Sequence, residues 1–247
     1  MQESIWVLKE AKPTLFANSQ SPTASGLPII IIHTRSKTTE NVLKPGPNSQ
    51  IKVPESTKIT LFTRWGRTNC PNTAELIYKG RTAGPPYGSS GSGANYLCLT
   101  DNPQYRFTVG LSQTERGSVY GTEYRYGDLK FSPLKNNHNY DVPCAVCQAP
   151  RSVTLMMPAV TECPNGWTKE YDGYLMTSRD DRKRTEFICV DENQSVVPDS
   201  NGARPQFPDD EASTLFLVEG KCNQSGGGLN CSVYGDNLEL SCVVCTL

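Results

Sequence analysis

The cysteines of this chain recur twice in the same order, and this repeat constrains the fold more than any other feature of the sequence. Each half has a Cys-Pro-Asn triplet, a single cysteine and a Cys-x-Val-Cys pair: Cys70, Cys98 and Cys144-Ala-Val-Cys147, then Cys163, Cys189 and Cys242-Val-Val-Cys245. A tyrosine and a glycine recur between the first two cysteines of each half: Tyr78 and Gly80, then Tyr171 and Gly173. The repeat predicts two copies of one disulfide-built unit.

Length and composition agree with two small β units. The 247 residues suffice for two units of about a hundred residues each. Ten cysteines, 20 glycines and 18 prolines favour a turn-rich β protein, and we expect it to be secreted and extracellular. Five disulfides of about 2–4 kcal/mol each would offset a hydrophobic content of only 36%. The net charge of -1 gives no general attraction to nucleic acid or to anionic membranes.

The sequence shows no membrane span and no signal peptide. The most apolar stretch, Leu27–Ile32, is too short to cross a bilayer and contains Pro28. The first residues, Met1-Gln-Glu-Ser-Ile, are acidic where the basic region of a signal peptide belongs. Because the cysteines indicate secretion, we interpret this start as the result of processing or truncation.

Residues 1–57 differ from the remainder and are interpreted as an extended arm. They contain no cysteine but six prolines, and two segments have strand character, Ile5–Leu8 and Ile29-Ile30-Ile31-Ile32. Flexible or polyproline-like spacers flank the isoleucines. The isoleucine run either pairs within its own chain or is donated as an assembly strand to a neighbouring copy. A donation that does not close on itself builds a filament.

From Thr57 onward the pattern predicts a mainly β fold. Strands are predicted at Ile59–Arg64 and, in the second half, at Val153–Met157, with a long loop over Ala83–Asn95. Val109–Tyr126 alternates aromatic and polar residues, which places three tyrosines on one strand face: Tyr120, Tyr124 and Tyr126. No amphipathic helix of about ten residues or more is evident.

The two Cys-x-Val-Cys pairs allow three interpretations. Two such pairs supply the four thiolates of a tetrahedral zinc site, but the other six cysteines then need a separate explanation. A redox dithiol is a second interpretation, although such pairs usually begin a helix. The valine and the flanking apolar residues instead suggest a strand, in which the two cysteines point apart and form bridges to two other segments. Structural disulfides are therefore favoured.

Several of these motifs together resemble a known family. Cys144-Ala-Val-Cys147-Gln-Ala-Pro, followed by Cys163-Pro-Asn-Gly-Trp167, resembles the junction between the halves of the non-collagenous C4 domain of collagen IV. Arg64-Trp-Gly-Arg-Thr-Asn-Cys-Pro and Gly93-Ala-Asn-Tyr-Leu-Cys98 are more similar to the short-chain, spongin-type C4 collagens of invertebrates. The resemblance covers residues 58–247, as repeats 58–150 and 151–247, without any Gly-X-Y segment.

The resemblance also implies which cysteines pair. In C4 domains the first cysteine of each half bridges the last, and the second bridges the first member of the Cys-x-x-Cys pair. Carried over, this gives Cys70–Cys147, Cys98–Cys144, Cys163–Cys245 and Cys189–Cys242, with Cys222–Cys231 remaining as a fifth pair. The first half lacks a counterpart of the fifth pair, so the collagen IV trimer interface and crosslink are not carried over. Met156 and Met157 are expected in the core.

Other motifs give weaker predictions. Three sequons make Asn193, Asn223 and Asn230 glycosylation candidates. Arg179–Arg184 either contacts a sulfated glycan or is solvated surface. The sequence gives no cofactor, calcium, phosphate or catalytic motif, and its two histidines, His33 and His138, lie outside nucleophile motifs. We therefore expect a protein that is not an enzyme and has no metal or cofactor.

The sequence supports hypotheses of different classes. The first is a secreted structural protein whose C4-like module associates with like chains into oligomers or filaments. The alternative is a lectin-like module in which Tyr120, Tyr124 and Tyr126 form a carbohydrate-binding surface. A zinc protein with four thiolates is a third hypothesis.

Overall fold

The structure, a computed structural model, describes residues 58–106, 116–126, 134–200, 212–223 and 227–247. Twelve strands occur in these ranges: β1 (Thr60–Trp65), β2 (Glu75–Gly84), β3 (Leu97–Thr100), β4 (Tyr120–Tyr124), β5 (Pro143–Ala149), β6 (Thr154–Pro158), β7 (Thr168–Thr177), β8 (Ile188–Asp191), β9 (Ser213–Leu217), β10 (Glu219–Gly220), β11 (Leu238–Glu239) and β12 (Ser241–Thr246). The chain is mainly β, as predicted.

Strand predictions from the sequence hold in two places and hold in part in a third. β1 and β6 confirm the strands predicted at Ile59–Arg64 and Val153–Met157 within a residue. Of the strand pattern predicted over Val109–Tyr126, only Tyr120–Tyr124 is a strand among the described residues of that range. Residues 85–95 form the predicted loop, since β2 continues to Gly84. The only helical segment within the described ranges is a 3₁₀ turn, Lys135–Asn137.

Each half of the chain forms the same arrangement of four strands. In the first half β5 lies between β1 and β2, and β3 pairs with β2. In the second half β12 lies between β6 and β7, and β8 pairs with β7. All these pairs are antiparallel, so one pairing scheme is used twice.

The two arrangements join into one seven-stranded mixed barrel. Its strands follow the order β7-β8-β1-β5-β2-β4-β9, and β9 also pairs with β7, which closes the ring. The two pairs that connect the halves, β1 with β8 and β4 with β9, are both parallel. β3, β6 and β12 extend the sheet outside the ring.

The buried side chains form two clusters. One surrounds the disulfides and contains Phe62, Tyr171 and Leu175. The other contains Tyr124, Tyr126, Met176 and Leu215. Met156 packs against the first cluster but is only half-buried, as is Met157, so the predicted core position of these methionines is partial.

Residues 1–57 lie outside the described residues. The predicted strands Ile5–Leu8 and Ile29–Ile32, and with them the assembly-strand hypothesis, therefore stay predictions.

Candidate assembly surface

Five disulfides hold the two halves in their strand arrangements. They are Cys70–Cys147, Cys98–Cys144, Cys163–Cys245, Cys189–Cys242 and Cys222–Cys231, the same pairs that the resemblance implies. The first four have Cα–Cα distances of 5.6–5.9 Å, in the usual range for disulfides. In the first half these disulfides join β5 to the loop after β1 and to β3. In the second half they join β12 to the loop after β6 and to β8.

The Cys-x-Val-Cys pairs lie on the central strands β5 and β12. Cys144 bridges to β3 while Cys147 bridges to the loop after β1, because side chains three residues apart on a strand point in different directions. All ten cysteines are in disulfides. This leaves no thiolate for the zinc site and no dithiol for redox chemistry.

Strand register shows which residues of the halves are equivalent. Tyr78 stands opposite Val146, and Tyr171 stands opposite Val244. Each pair lies next to a register shift that occurs at the equivalent place in its half. Gly80 and Gly173 stand opposite the first cysteine of each pair. A Cβ on Gly80 would lie 1.7 Å from Leu99 O, and one on Gly173 would lie 1.9 Å from Val190 O, so both strands need glycine there.

The same alignment makes β3 equivalent to β8 and β6 equivalent to β1. Leu97 and Leu99 correspond to Ile188 and Val190, respectively, because both strands pair with their neighbours in the same register. Leu155 corresponds to Phe62, since each stands opposite the second cysteine of a pair. Within the described residues β8 meets β1, whereas β3 pairs only with β2 and β6 only with β12.

The junction of β8 with β1, which we call the internal junction, is closed by Tyr171. Trp65 and Val190 form its parallel strand bridge. The Tyr171 hydroxyl donates to two carbonyls in a shared hydrogen bond, 2.9 Å to Thr63 O on β1 and 3.0 Å to Cys189 O on β8. Burial raises the pKa of the Tyr171 phenol well above its ordinary value. Tyr171 is thus a neutral donor that links the two halves.

An ion pair strengthens the internal junction. The Arg64 guanidinium on β1 contacts Asp191 Oδ2 on β8 at 2.7 Å through both Nε and Nη2. Both side chains are largely buried, and the second carboxylate oxygen, Oδ1, accepts a 2.8 Å hydrogen bond from the Asn193 backbone N–H. The charges are therefore paired and hydrogen-bonded, as burial requires.

The equivalent surface of the first half is apolar and exposed. Leu97 and Leu99 of β3 are 41% and 42% exposed, whereas their counterparts Ile188 and Val190 are 5% and 0% exposed. Three residues of the neighbouring β2 are also exposed: Leu76, Ile77 and Tyr78. We call these five residues, which project from both sides of the sheet at this open edge, the β3 face.

Tyr78 shows that the β3 face lacks a partner strand in the described structure. Its hydroxyl donates to Cys98 O at 3.1 Å, as Tyr171 does to the equivalent Cys189 O. Among the described residues it has no second acceptor that corresponds to Thr63 O. Tyr78 therefore occupies the position equivalent to Tyr171 but lacks the neighbouring strand that covers Tyr171.

The second open strand, β6, also exposes apolar side chains. Val153, Leu155 and Val160 are exposed on it and beside it, and we call them the β6 face. Leu155 is 41% exposed, while its counterpart Phe62 is 6% exposed. Thr154 at the start of β6 contacts β1 through a 2.9 Å hydrogen bond between the Thr60 and Thr154 hydroxyls. The rest of the strand has β12 as its only described strand partner.

The tyrosines predicted to form a carbohydrate surface do not do so. Tyr124 and Tyr126 are buried and stack on each other with ring centroids 5.8 Å apart, and only Tyr120 is partly accessible. The Tyr124 hydroxyl donates to Ser195 O at 3.0 Å, and the Tyr126 hydroxyl donates to Gln194 Oε1. The three residues do alternate on one strand face, but that face points into the core, so this part of the lectin hypothesis is wrong.

The three sequon asparagines are all exposed. Asn193 lies in a turn after β8, while the Asn230 side-chain oxygen caps a local turn by accepting from the Ser232 N–H at 3.0 Å. Asn223 follows Cys222, and part of its sequon lies outside the described residues. Exposure is compatible with the predicted glycosylation of each.

No cluster that suits a metal ion occurs within the described ranges, which hold no group of three or more His, Cys, Asp or Glu side chains. His138 Nδ1 accepts a 3.2 Å hydrogen bond from the Tyr126 N–H, a structural role. The described residues also contain no helix that is long and apolar enough to cross a membrane. His33 lies outside the described residues.

Sequence reasoning missed the residues that close the internal junction. The sequence shows that Tyr78 recurs as Tyr171. It does not show that Tyr171 is buried while Tyr78 is exposed. Arg64 and Asp191 are charged residues within otherwise apolar strands, which is a signal for a buried ion pair. Their pairing depends on a parallel contact between distant strands that no local pattern encodes.

A comparison with protein families adds no assignment, because no family model matches the chain.

Proposed function

We propose that the protein is a secreted, extracellular structural protein whose domain, residues 58–247, associates with like chains. One observation carries this proposal: the buried apolar strand β8, which pairs with β1 in the second half, has an equally apolar counterpart, β3, that is exposed and has no described strand beside its outer edge. The five disulfides support an oxidising, extracellular setting. The domain is similar in its cysteine motifs and pairing to the C4 domain of collagen IV and to spongin-type C4 collagens.

The proposed contact places the β3 face of one copy against the β6 face of the next. Since β3 is equivalent to β8 and β6 to β1, this contact repeats between chains the junction that exists within the chain. Leu97 and Leu99 then take the roles of Ile188 and Val190. The Tyr78 hydroxyl gains as its second acceptor the carbonyl of Met156, the counterpart of Thr63. Covering these side chains removes exposed apolar surface from water at an open sheet edge.

This contact determines the kind of assembly. The β3 and β6 faces are different surfaces of one molecule, so each contact is heterologous and leaves a free face at both ends. Such assembly continues until it closes into a ring or extends as a filament. Either outcome is suited to a structural protein that builds a matrix from repeated units.

The arm offers a second route to the same edges. Four consecutive isoleucines are a candidate strand that adds to an open β3 or β6 edge of a neighbouring copy. The two routes differ in one measurable respect. Direct contact of β3 with β6 survives deletion of residues 1–57, whereas strand donation is lost with them.

The test is the molar mass of the secreted protein by multi-angle light scattering. We expect an oligomer or filament for the natural chain and a monomer for Leu99→Arg or Leu155→Arg, since a buried arginine without a partner opposes each contact. Val119→Arg, at an exposed apolar residue ahead of β4, is the matched control and should assemble normally. A monomeric natural chain, or assembly unchanged in both face variants, would refute the proposal.

A further inference from the structure

The turn that follows β7 carries a cluster of cations whose purpose the assembly proposal does not explain. Its sequence is Arg179-Asp-Asp-Arg-Lys-Arg184, and all six residues are exposed. A cavity of about 200 Å³ lies beside it, lined by Tyr87, Arg125, Arg179, Arg182, Thr214 and Phe216. Three guanidinium groups and two aromatic rings therefore share one small cavity.

Aromatic rings hold two of these guanidinium groups in place. The Arg182 guanidinium lies 4.2 Å from the centre of the Tyr87 ring, and that of Arg179 lies 5.7 Å from the centre of the Phe216 ring. Stacking fixes the plane of a guanidinium while its N–H donors at the edge stay available. Arginines arranged in this way are suited to binding an oxyanion through paired hydrogen bonds.

Nearby carboxylates pair with all three arginines. Arg179 makes two hydrogen bonds to Asp181, at 2.6 and 2.7 Å, and Arg182 contacts the same carboxylate at 3.4 Å. Arg125 pairs with Glu123 at 2.9 Å. Arg179 and Arg182 thus share one carboxylate, that of Asp181, while each guanidinium has five N–H donors. Over residues 179–184 four cations stand against two aspartates, so the turn has an excess of positive charge although the whole chain has a net charge of -1.

A buried hydroxyl adds to the polar wall of the cavity. Thr214 is 5% exposed, and its Oγ1 has no hydrogen-bond partner among the described residues. Buried polar groups in proteins nearly always have a partner, so this hydroxyl is an exception within a residue that lines the cavity. This observation is independent of the arginine cluster.

Two grooves extend the cavity along the same turn. One of about 380 Å³ combines Arg182, Lys183 and Arg184 with the polar loop residues Ser89 to Gly93. The other, of about 700 Å³, is lined by the cations of the turn together with Lys221 and Phe187. A single small anion fills only the cavity, whereas an extended chain with repeated anionic groups also contacts both grooves.

We propose that this surface binds a sulfated polysaccharide, with one sulfate ester in the arginine cavity and further sulfates along Lys183 and Arg184. Serine hydroxyls of residues 89–92 and the ring of Tyr87 face the sugar units. Sulfate esters on polysaccharides are the repeated oxyanions that an extracellular protein meets. The proposal is independent of self-association and adds a matrix ligand to the assembled protein.

The test measures binding of a size-defined heparin oligosaccharide to the full chain by isothermal titration calorimetry at physiological salt. Arg179→Gln/Arg182→Gln should weaken binding about tenfold or more, since each loses charge-assisted hydrogen bonds. Arg182→Lys keeps the charge but loses the stacked, forked geometry, so we expect an intermediate loss. Lys58→Gln/Lys169→Gln is the control with the same change in charge and should bind nearly as the natural chain does.

Binding measurements with other ligands distinguish a polysaccharide site from simpler explanations. Heparin from which both N- and O-sulfates have been removed should fail to bind. Hyaluronan, whose only charged groups are carboxylates, should also fail to bind. Inorganic sulfate should compete only weakly, because it occupies the cavity without the grooves. Equal weakening in the control variant, equal binding of the desulfated polymer, or binding of inorganic sulfate alone would overturn the proposal.

Discussion

The two halves of the domain use equivalent strands, yet one half buries its outer strand and the other leaves it exposed. β8 lies between β7 and β1, and its side chains Ile188 and Val190 are in the core. β3 has the same register against β2 and equally apolar side chains, but no strand covers it in the described structure. Local sequence therefore specifies an apolar strand in both places. β8 becomes core because it belongs to the barrel and packs with Tyr124, Met176 and Leu215, whereas β3 lies outside the ring.

The chemistry of the two junctions also differs. Arg64 and Asp191 form an ion pair at the internal junction. Their counterparts by register are Met157 on β6 and Thr100 on β3, which carry no charge. A permanent contact within one chain is thus fixed by paired charges, while the surfaces proposed to meet between chains are apolar. Apolar surfaces of this kind associate without the geometric demands of a buried ion pair.

The largest expected effect concerns pH, because the tyrosines of the barrel are buried. Burial raises the pKa of Tyr96, Tyr124, Tyr126 and Tyr171 above the unfolded value of about 10. Their contribution to stability is complete below about pH 10 and is lost as the pH rises, since the unfolded chain ionises first. From about pH 9 to about pH 11 the free energy of unfolding should fall by roughly 5 kcal/mol. Denaturant titration measures this fall in unfolding free energy, and the fall should be about a quarter smaller in Tyr171→Phe. An unfolding free energy that does not decline with pH would refute this prediction.

The next effect tests the ion pair that distinguishes the internal junction. Arg64→Met leaves the Asp191 carboxylate buried without its partner and should cost about 3–5 kcal/mol of unfolding free energy. Arg64→Met/Asp191→Thr copies the neutral residues of the other junction and should recover part of that loss. Thermal and denaturant unfolding of the monomeric Leu155→Arg background isolates these values from assembly. A double variant less stable than the single variant would contradict this account.

The smallest effect compares the equivalent tyrosines. Tyr171→Phe removes a buried donor from two carbonyls and should destabilise the folded domain by about 1–2 kcal/mol. Tyr78→Phe should change the stability of the monomer by less than about 0.5 kcal/mol, because the residue is partly exposed. It should instead weaken association, which sedimentation at several concentrations detects. Equal destabilisation by both substitutions would show that the junctions do not differ as described.

Much of the fold was predictable because disulfide frameworks and strands leave local signals. The cysteine repeat predicted two similar units, alternation and β-branched residues predicted β1 and β6, and the divergence of neighbouring strand side chains predicted that each Cys-x-Val-Cys pair forms two bridges. The specific pairs came from the family resemblance. The parallel contacts of β1 with β8 and of β4 with β9 were not predictable, since they join segments far apart in sequence with no local pattern.

The candidate site was harder to predict than the fold. Tyr120, Tyr124 and Tyr126 alternate as surface aromatics would, but Tyr124 and Tyr126 pack in the buried cluster of the barrel with Met176 and Leu215. Conversely, Leu97 and Leu99 have the pattern of core residues and are exposed. Alternation identifies which residues share a face but not whether that face meets the core, solvent or another chain.

Mixing two assembly-deficient variants tests the central claim most directly. Leu99→Arg blocks the β3 face and Leu155→Arg blocks the β6 face, so each variant should be a monomer by itself. An equimolar mixture retains one intact β3 face and one intact β6 face, and it should form a heterodimer of two chains that grows no further. Light scattering and native mass spectrometry read out this mass. A mixture that remains monomeric, or that assembles beyond two chains, would contradict a heterologous contact between β3 and β6.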